Sequence, residues 1–175
     1  MKKVFHRFWF ILYDFLAAVL AWNGFYYVRK VILQEELSFS LEAIVNSLFI
    51  GVFWIVIYSM FGVYLNLYQK SRVREIFLVI LLAIPGTLIL FFVLFLDDEG
   101  IIRYQNYYQT LGAYFSIHVF LAILSKALVL SYVKTLIKKK KIVFNTLVIG
   151  SNQRATETYK DVVKINKSLG SRVMG

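Results

Sequence analysis

The sequence predicts a mainly α membrane protein. A four-helix transmembrane bundle covers residues 1–136, and the start of an α/β domain follows over residues 142–175. Three observations lead there. First, 59% of the 175 residues are hydrophobic and the mean hydropathy is +0.67, whereas a soluble domain is about 45–50% apolar. Second, the excess sits in long blocks rather than in an alternating pattern. Third, the cations gather at the ends of those blocks.

That last point decides what the net charge of +10 means. Nucleic-acid binding is the reflex reading of so basic a chain, but charges confined to block ends are explained by membrane topology, and no nucleic acid is expected as a partner. The chain has no Cys, which excludes disulfides, thiolate metal sites and Cys nucleophiles. The first block is not read as a cleaved signal peptide. Lys2, Lys3 and Arg7 would suit one, but Asp14 interrupts the apolar run, and Trp22 and Phe25 carry it past the loose cleavage match at Val19-Leu20-Ala21.

A spanning helix needs about 20 mostly apolar residues. Four blocks supply them, near Phe8–Val28, Leu41–Leu65, Ile76–Leu96 and Leu111–Val133. Helix is the form expected of each, because backbone groups in lipid must be satisfied within the segment. Pro85-Gly86 falls inside the third block, where the missing N–H predicts a kink.

Orientation follows from Lys and Arg in short flanks. One side carries Lys2, Lys3 and Arg7, then Lys70, Arg72 and Arg74, then Lys134 and the run Lys138-Lys139-Lys140-Lys141. On the other side Arg29 and Lys30 are offset by Glu35, Glu36 and Glu42, and Arg103 by Asp97-Asp98-Glu99. Both termini are therefore expected in the cytoplasm. Aromatic belts agree, with Trp9, Tyr64, Tyr68 and Tyr132 near one face and Tyr26, Tyr27, Tyr104, Tyr107 and Tyr108 near the other. The lysine run is a candidate contact for anionic lipid head groups, although ordinary topology explains it equally well.

Asp14 and Lys126 stand out within the blocks, since an intramembrane charge costs at least about 2.5 kcal/mol. At 1.5 Å per residue both lie ~10 Å from the same end of their spans. Equal depth and opposite sign predict an intramembrane pair. A helix-orienting pair, or two snorkelling side chains, is favoured over a proton or substrate relay, which would need further charged groups along a path. His118, Asn23 and Asn46 are expected to make interhelical hydrogen bonds. A metal site would need several converging ligands, and His6 and His118 lie at different depths. Trp54 and the many Phe residues read as lipid-facing or packing surface.

After Lys141 the pattern changes. Ile142 to Ile149 is β-prone, Gly150-Ser151-Asn152 makes a turn, and residues 153–168 place Ala155, Tyr159, Val162, Val163 and Ile165 at roughly helical spacing. Leu169-Gly170 stops that helix and Ser171 to Gly175 begins another strand. Strand–turn–helix–strand is the opening of a doubly wound, Rossmann-like domain, here incomplete. Gly150, Ser151 and Asn152 are its candidate cofactor-binding turn. Of a G-x-G-x-x-G pattern only Gly150 is present, so structural use of the fold is favoured over nucleotide binding.

The whole layout resembles the bacterial polyprenyl glycosylphosphotransferases. The resemblance rests on Tyr13-Asp14-Phe15 and Val28-Arg29 in the first span, and on Phe61-Gly62-Val63-Tyr64 followed by Ser71-Arg72-Val73-Arg74-Glu75-Ile76. It extends to Thr146-Leu147-Val148-Ile149-Gly150 and Leu169-Gly170-Ser171-Arg172-Val173-Met174-Gly175. It implies a bacterial inner-membrane protein in which four helices and a Rossmann-like domain precede a catalytic domain. That domain moves a sugar phosphate from a nucleotide sugar to undecaprenyl phosphate, using an Asp-Glu pair and magnesium, to begin exopolysaccharide, capsule or O-antigen assembly. No catalytic residue and no cofactor carries over to this chain, which ends at Gly175. Undecaprenyl phosphate and the nucleotide sugar are expected as partners only through a catalytic domain outside it, and homo-oligomerisation stays open. The alternatives are the membrane part of a nucleotide-sugar 4,6-dehydratase, whose first glycine turn usually reads closer to Gly-Ala-Gly, and a non-enzymatic assembly protein.

Overall fold

The computed structural model describes residues 7–33, 41–65, 71–94, 104–139, 144–146, 157 and 171–173. In chain order the elements are α1 (Arg7–Leu33), α2 (Leu41–Met60), α3 (Arg72–Leu94), α4 (Tyr104–Lys138), β1 (Phe144–Thr146) and β2 (Ser171–Val173). All four helices are long and apolar enough to cross a membrane. The chain divides into two compact units, one of Arg7–Val129 and one that takes in the C-terminal stretch from Leu130.

The helices depart from the apolar blocks at their ends. At 1.5 Å per residue α1 is about 40 Å long and α4 about 52 Å, against about 30 Å of hydrocarbon. Both helices run past their apolar blocks, α1 through Arg29 and Lys30 and α4 through Lys134 and Lys138, because backbone bonding does not stop where hydropathy does. α3 starts at Arg72, earlier than its apolar block, with Ser71 just before it. The Ser71 carbonyl accepts the Glu75 N–H at 3.2 Å, and an acidic residue in the first turn suits the positive end of the helix. The helix runs unbroken through Pro85. α2 stops at Met60, five residues short of its block, because Gly62 takes a positive φ of 66° and turns the chain back.

Inside Arg7–Val129 the contacts between α1 and α4 run in opposite directions, Asp14 meeting Lys126 while Trp22 and Phe25 meet Tyr114. Gly51 of α2 faces Phe15 and Val19 of α1, and Gly86 of α3 faces Trp54 and Ile57 of α2. Both glycines are notches. A Cβ at either would come 2.5 Å from the ring of Phe15 or Trp54, so only hydrogen lets those helices close. Trp22 and Phe25 of α1 pack edge-on against Tyr114 of α4, and Phe91 of α3 meets Tyr107 of α4. The interior holds Phe25, Ile50, Trp54, Tyr58, Leu90 and Tyr114. The outer faces carry residues such as Leu48, Phe49, Val52 and Val56 on α2 and Leu81, Ile84 and Leu88 on α3. A surface that apolar is what a bundle surrounded by lipid presents.

In the second unit β1 and β2 pair in parallel, with Phe144 opposite Ser171 and Thr146 opposite Val173. A parallel pair needs a crossover of about a dozen residues or more, and the two strands are far enough apart in the sequence for one. Of the helix expected at 153–168, Glu157 has helical backbone; the rest lies outside the described residues. So do Gly150, Ser151 and Asn152.

Candidate functional site: a buried polar column

The interior of the bundle is not uniformly apolar. On α4 the buried positions Thr110, Tyr114, His118, Ala122, Ser125, Lys126 and Val129 recur three or four residues apart, which places them on one helix face. Most of that stripe is polar, and each polar member needs a partner because nothing in lipid would replace water.

At one end lies the ion pair. Asp14 stands two turns into α1, and Lys126 reaches it from α4 with Nζ 2.5 Å from Oδ2. The two side chains are 3% and 5% exposed. Ser125 donates to the other carboxylate oxygen at 3.5 Å, a long bond. The ammonium also sits 5.2 Å from the ring centroid of Tyr58 and 5.5 Å from that of Tyr64, within cation–π range. The aromatic faces cover the part of Lys126 that the carboxylate does not.

The polar contacts continue along α4. Tyr58 Oη and His118 Nε2 are 3.2 Å apart, and which of them donates follows from the imidazole tautomer. The Trp54 ring stacks on the imidazole at 3.7 Å with an 18° interplanar angle. The Trp54 Nε1–H donates to Tyr114 Oη at 2.8 Å. Asp14 thus ties α1 to α4, while Trp54 and Tyr58 tie α2 to α4. His118 Nδ1 and the hydroxyls of Thr87 and Thr110 are buried without a hydrogen-bond partner among the described residues.

Several sequence expectations are resolved here. Asp14 and Lys126 meet as an ion pair, and His118 bonds between helices. Asn23 does not: it donates to the Val19 carbonyl of its own helix at 2.7 Å, a bond the i−4 carbonyl offers at no cost in packing. Asn46 is exposed on α2. Tyr64 is not part of an interfacial belt; the turn at Gly62 points it inward and leaves it 2% exposed. Trp9 and Tyr132, by contrast, are exposed. Of the two alternatives for Trp54, packing surface is the one found: it is buried and hydrogen bonded. Lys138 is exposed on the last turn of α4 and Lys139 just past it, while Lys140 and Lys141 lie outside the described residues.

Sequence reasoning missed Ser125, Tyr58, Tyr64 and Tyr114 as members of the site. A signal was there: Tyr114, His118, Ala122 and Lys126 stand four apart in an otherwise apolar run. Among the described residues no three His, Cys, Asp or Glu side chains gather to hold a metal ion.

Fold and site together define a multi-pass membrane protein in which, among the described residues, a buried ion pair and a hydrogen-bonded aromatic column fasten α1 and α2 to α4. No protein-family model, curated protein or solved structure matches the chain.

Proposed function

We propose that the chain is the membrane-anchoring N-terminal part of a bacterial polyprenyl glycosylphosphotransferase of the inner membrane. In this reading the enzyme transfers sugar phosphate from a nucleotide sugar to undecaprenyl phosphate. The transfer chemistry, with its magnesium, belongs to a catalytic domain outside these 175 residues. The observation that carries the reading is the order of parts: four membrane-length helices, then parallel strands beginning at Phe144, soon after α4 ends at Lys138. In the resemblance, that is where the Rossmann-like domain starts. Two of the resembling motifs also hold structural positions. Asp14 anchors the ion pair, and Phe61-Gly62-Val63-Tyr64 forms the turn that ends α2.

Both termini face the cytoplasm in this reading, supported by the cations at Arg7, Arg72, Arg74, Lys134 and Lys138. Lys138 and Lys139, exposed at the end of α4, would meet anionic lipid head groups there.

The test pairs the purified chain with a parent protein that contains it, each given undecaprenyl phosphate, magnesium and a panel of nucleotide sugars. The parent should form a lipid-linked sugar diphosphate and the 175-residue chain should not. Transfer by a clean preparation of the chain alone would sink the reading. So would a parent whose next segment carries a second glycine-rich βαβ fingerprint with Tyr-x-x-x-Lys, which would make it a dehydratase.

A further inference from the structure

The end of α2 is built in a particular way. The Val63 N–H reaches back to the Tyr58 carbonyl at 2.9 Å, and the Gly62 N–H to the Ser59 carbonyl at 3.1 Å. These are the paired bonds of a Schellman cap, with Gly62 at the left-handed position. The Leu65 N–H then bonds the Gly62 carbonyl at 3.0 Å, so a second turn follows at once. The result is a strap of five residues with two sides. Val63 and Tyr64 are buried, while Phe61 and Leu65 are exposed.

The buried side of the strap ends on the ion pair. The Tyr64 ring covers the Lys126 ammonium. Its hydroxyl lies by the Asp14 carboxylate and interacts with it. The part of Tyr64 that covers the ammonium is its ring. Coulomb attraction at an effective dielectric of ~20 is about four times that in water, so a group that keeps water from this pair matters to it.

We propose that residues 61–65 form a strap that seals the Asp14–Lys126 pair from water, with Tyr64 as the plug and Gly62 as the residue that sets it. The inference needs only the spanning bundle and is independent of the transferase reading.

The experiment measures acylation of lysine amines in the full 175-residue chain in detergent micelles. A small water-soluble amine-reactive ester is the probe, read site by site by mass spectrometry. Exposed Lys134 and Lys138 serve as internal standards, and a cooperative thermal unfolding transition reports that the bundle persists. In the wild type, Lys126 should react at least roughly tenfold less than Lys134, as a group protected by closed structure does. Tyr64→Ala should remove that protection, and Tyr64→Phe, which keeps the ring, should retain it. Gly62→Val should also expose Lys126, because valine is strained at positive φ, whereas Gly62→Asn should not, because asparagine tolerates that conformation. The proposal fails if wild-type Lys126 reacts as fast as Lys134, or if it stays protected in Tyr64→Ala. It fails equally if Tyr64→Phe behaves like Tyr64→Ala. Loss of the whole fold in both Tyr64→Ala and Gly62→Val would overturn it too, since a strap must open without melting the bundle.

Discussion

Lys126→Met leaves the Asp14 carboxylate inside the bundle without its counter-charge, facing only neutral groups such as the Ser125 and Tyr64 hydroxyls. Breaking a buried pair from one side costs about 3–5 kcal/mol. For a domain of this size each kcal/mol moves the melting temperature by about 2–4 °C, so a fall of roughly 10 °C is expected. Asp14→Asn is milder. Its amide oxygen still accepts from the ammonium, and Lys126 keeps its two tyrosine faces, so the loss should be about 1–3 kcal/mol. The double variant leaves no orphaned charge and should lose only about 2 kcal/mol, less than Lys126→Met alone, giving a coupling energy of roughly 4 kcal/mol. Reversible thermal unfolding in detergent would supply the four corners of the cycle. Added salt should change the coupling little, because the side chains are 3% and 5% exposed and buried pairs are weakly screened. Losses that add within about 0.5 kcal/mol would refute the reasoning and mean that the two groups act separately.

Trp54→Phe should cost about 1–3 kcal/mol, because the Tyr114 hydroxyl loses its donor inside the bundle; the same unfolding measurement checks it. Gly86→Ala should destabilise by about 1–3 kcal/mol, since its Cβ would meet the Trp54 ring at 2.5 Å. Gly112→Ala should be neutral or gain about 0.5–1 kcal/mol, because a Cβ at Gly112 meets nothing within 4 Å. The chain has no native thiol, so single cysteines map its sides: those at Ser38 and Asn106 should label from the periplasmic side of intact cells, and one at Gln153 should not. Labelling at Gln153 would reverse the orientation.

The four helices were legible because hydropathy acts over about 20 residues and averages out local detail. Their ends were not, because ends are decided by single groups. α3 starts at Arg72 before the apolar run begins, and Gly62 stops α2 while the run continues. The meeting of Asp14 and Lys126 was readable from depth and sign, two properties that survive without knowing the helix arrangement. Tyr64 was misread because hydropathy and position assign a tyrosine near a block end to the interface, whereas one positive φ at Gly62 redirects it into the core. Asn23 was misread for a related reason. A carboxamide in a helix can satisfy itself on its own backbone, and composition does not distinguish that bond from one to a neighbour. Tyr58, His118 and Trp54 could be assembled only once the alignment of α2 with α4 was known.

The ion pair joins residues 112 positions apart, and that separation has a meaning in time. Chains emerge at about 5–20 residues per second, so Asp14 is made about 6–22 s before Lys126. For that interval α1 resides near or in the bilayer with its carboxylate lacking its eventual partner. Such a group at the centre of a helix raises the insertion free energy by about 2.5–3.5 kcal/mol; Asp14, two turns from the start of α1, costs less than that, and the surrounding Leu, Ile, Phe and Val must offset it unaided. Biogenesis thus has a built-in last step. Three helices can enter in succession, but the joint between the first and the fourth closes only when α4 arrives, and a ribosome paused before residue 126 would hold an assembly that no rearrangement of its own could complete.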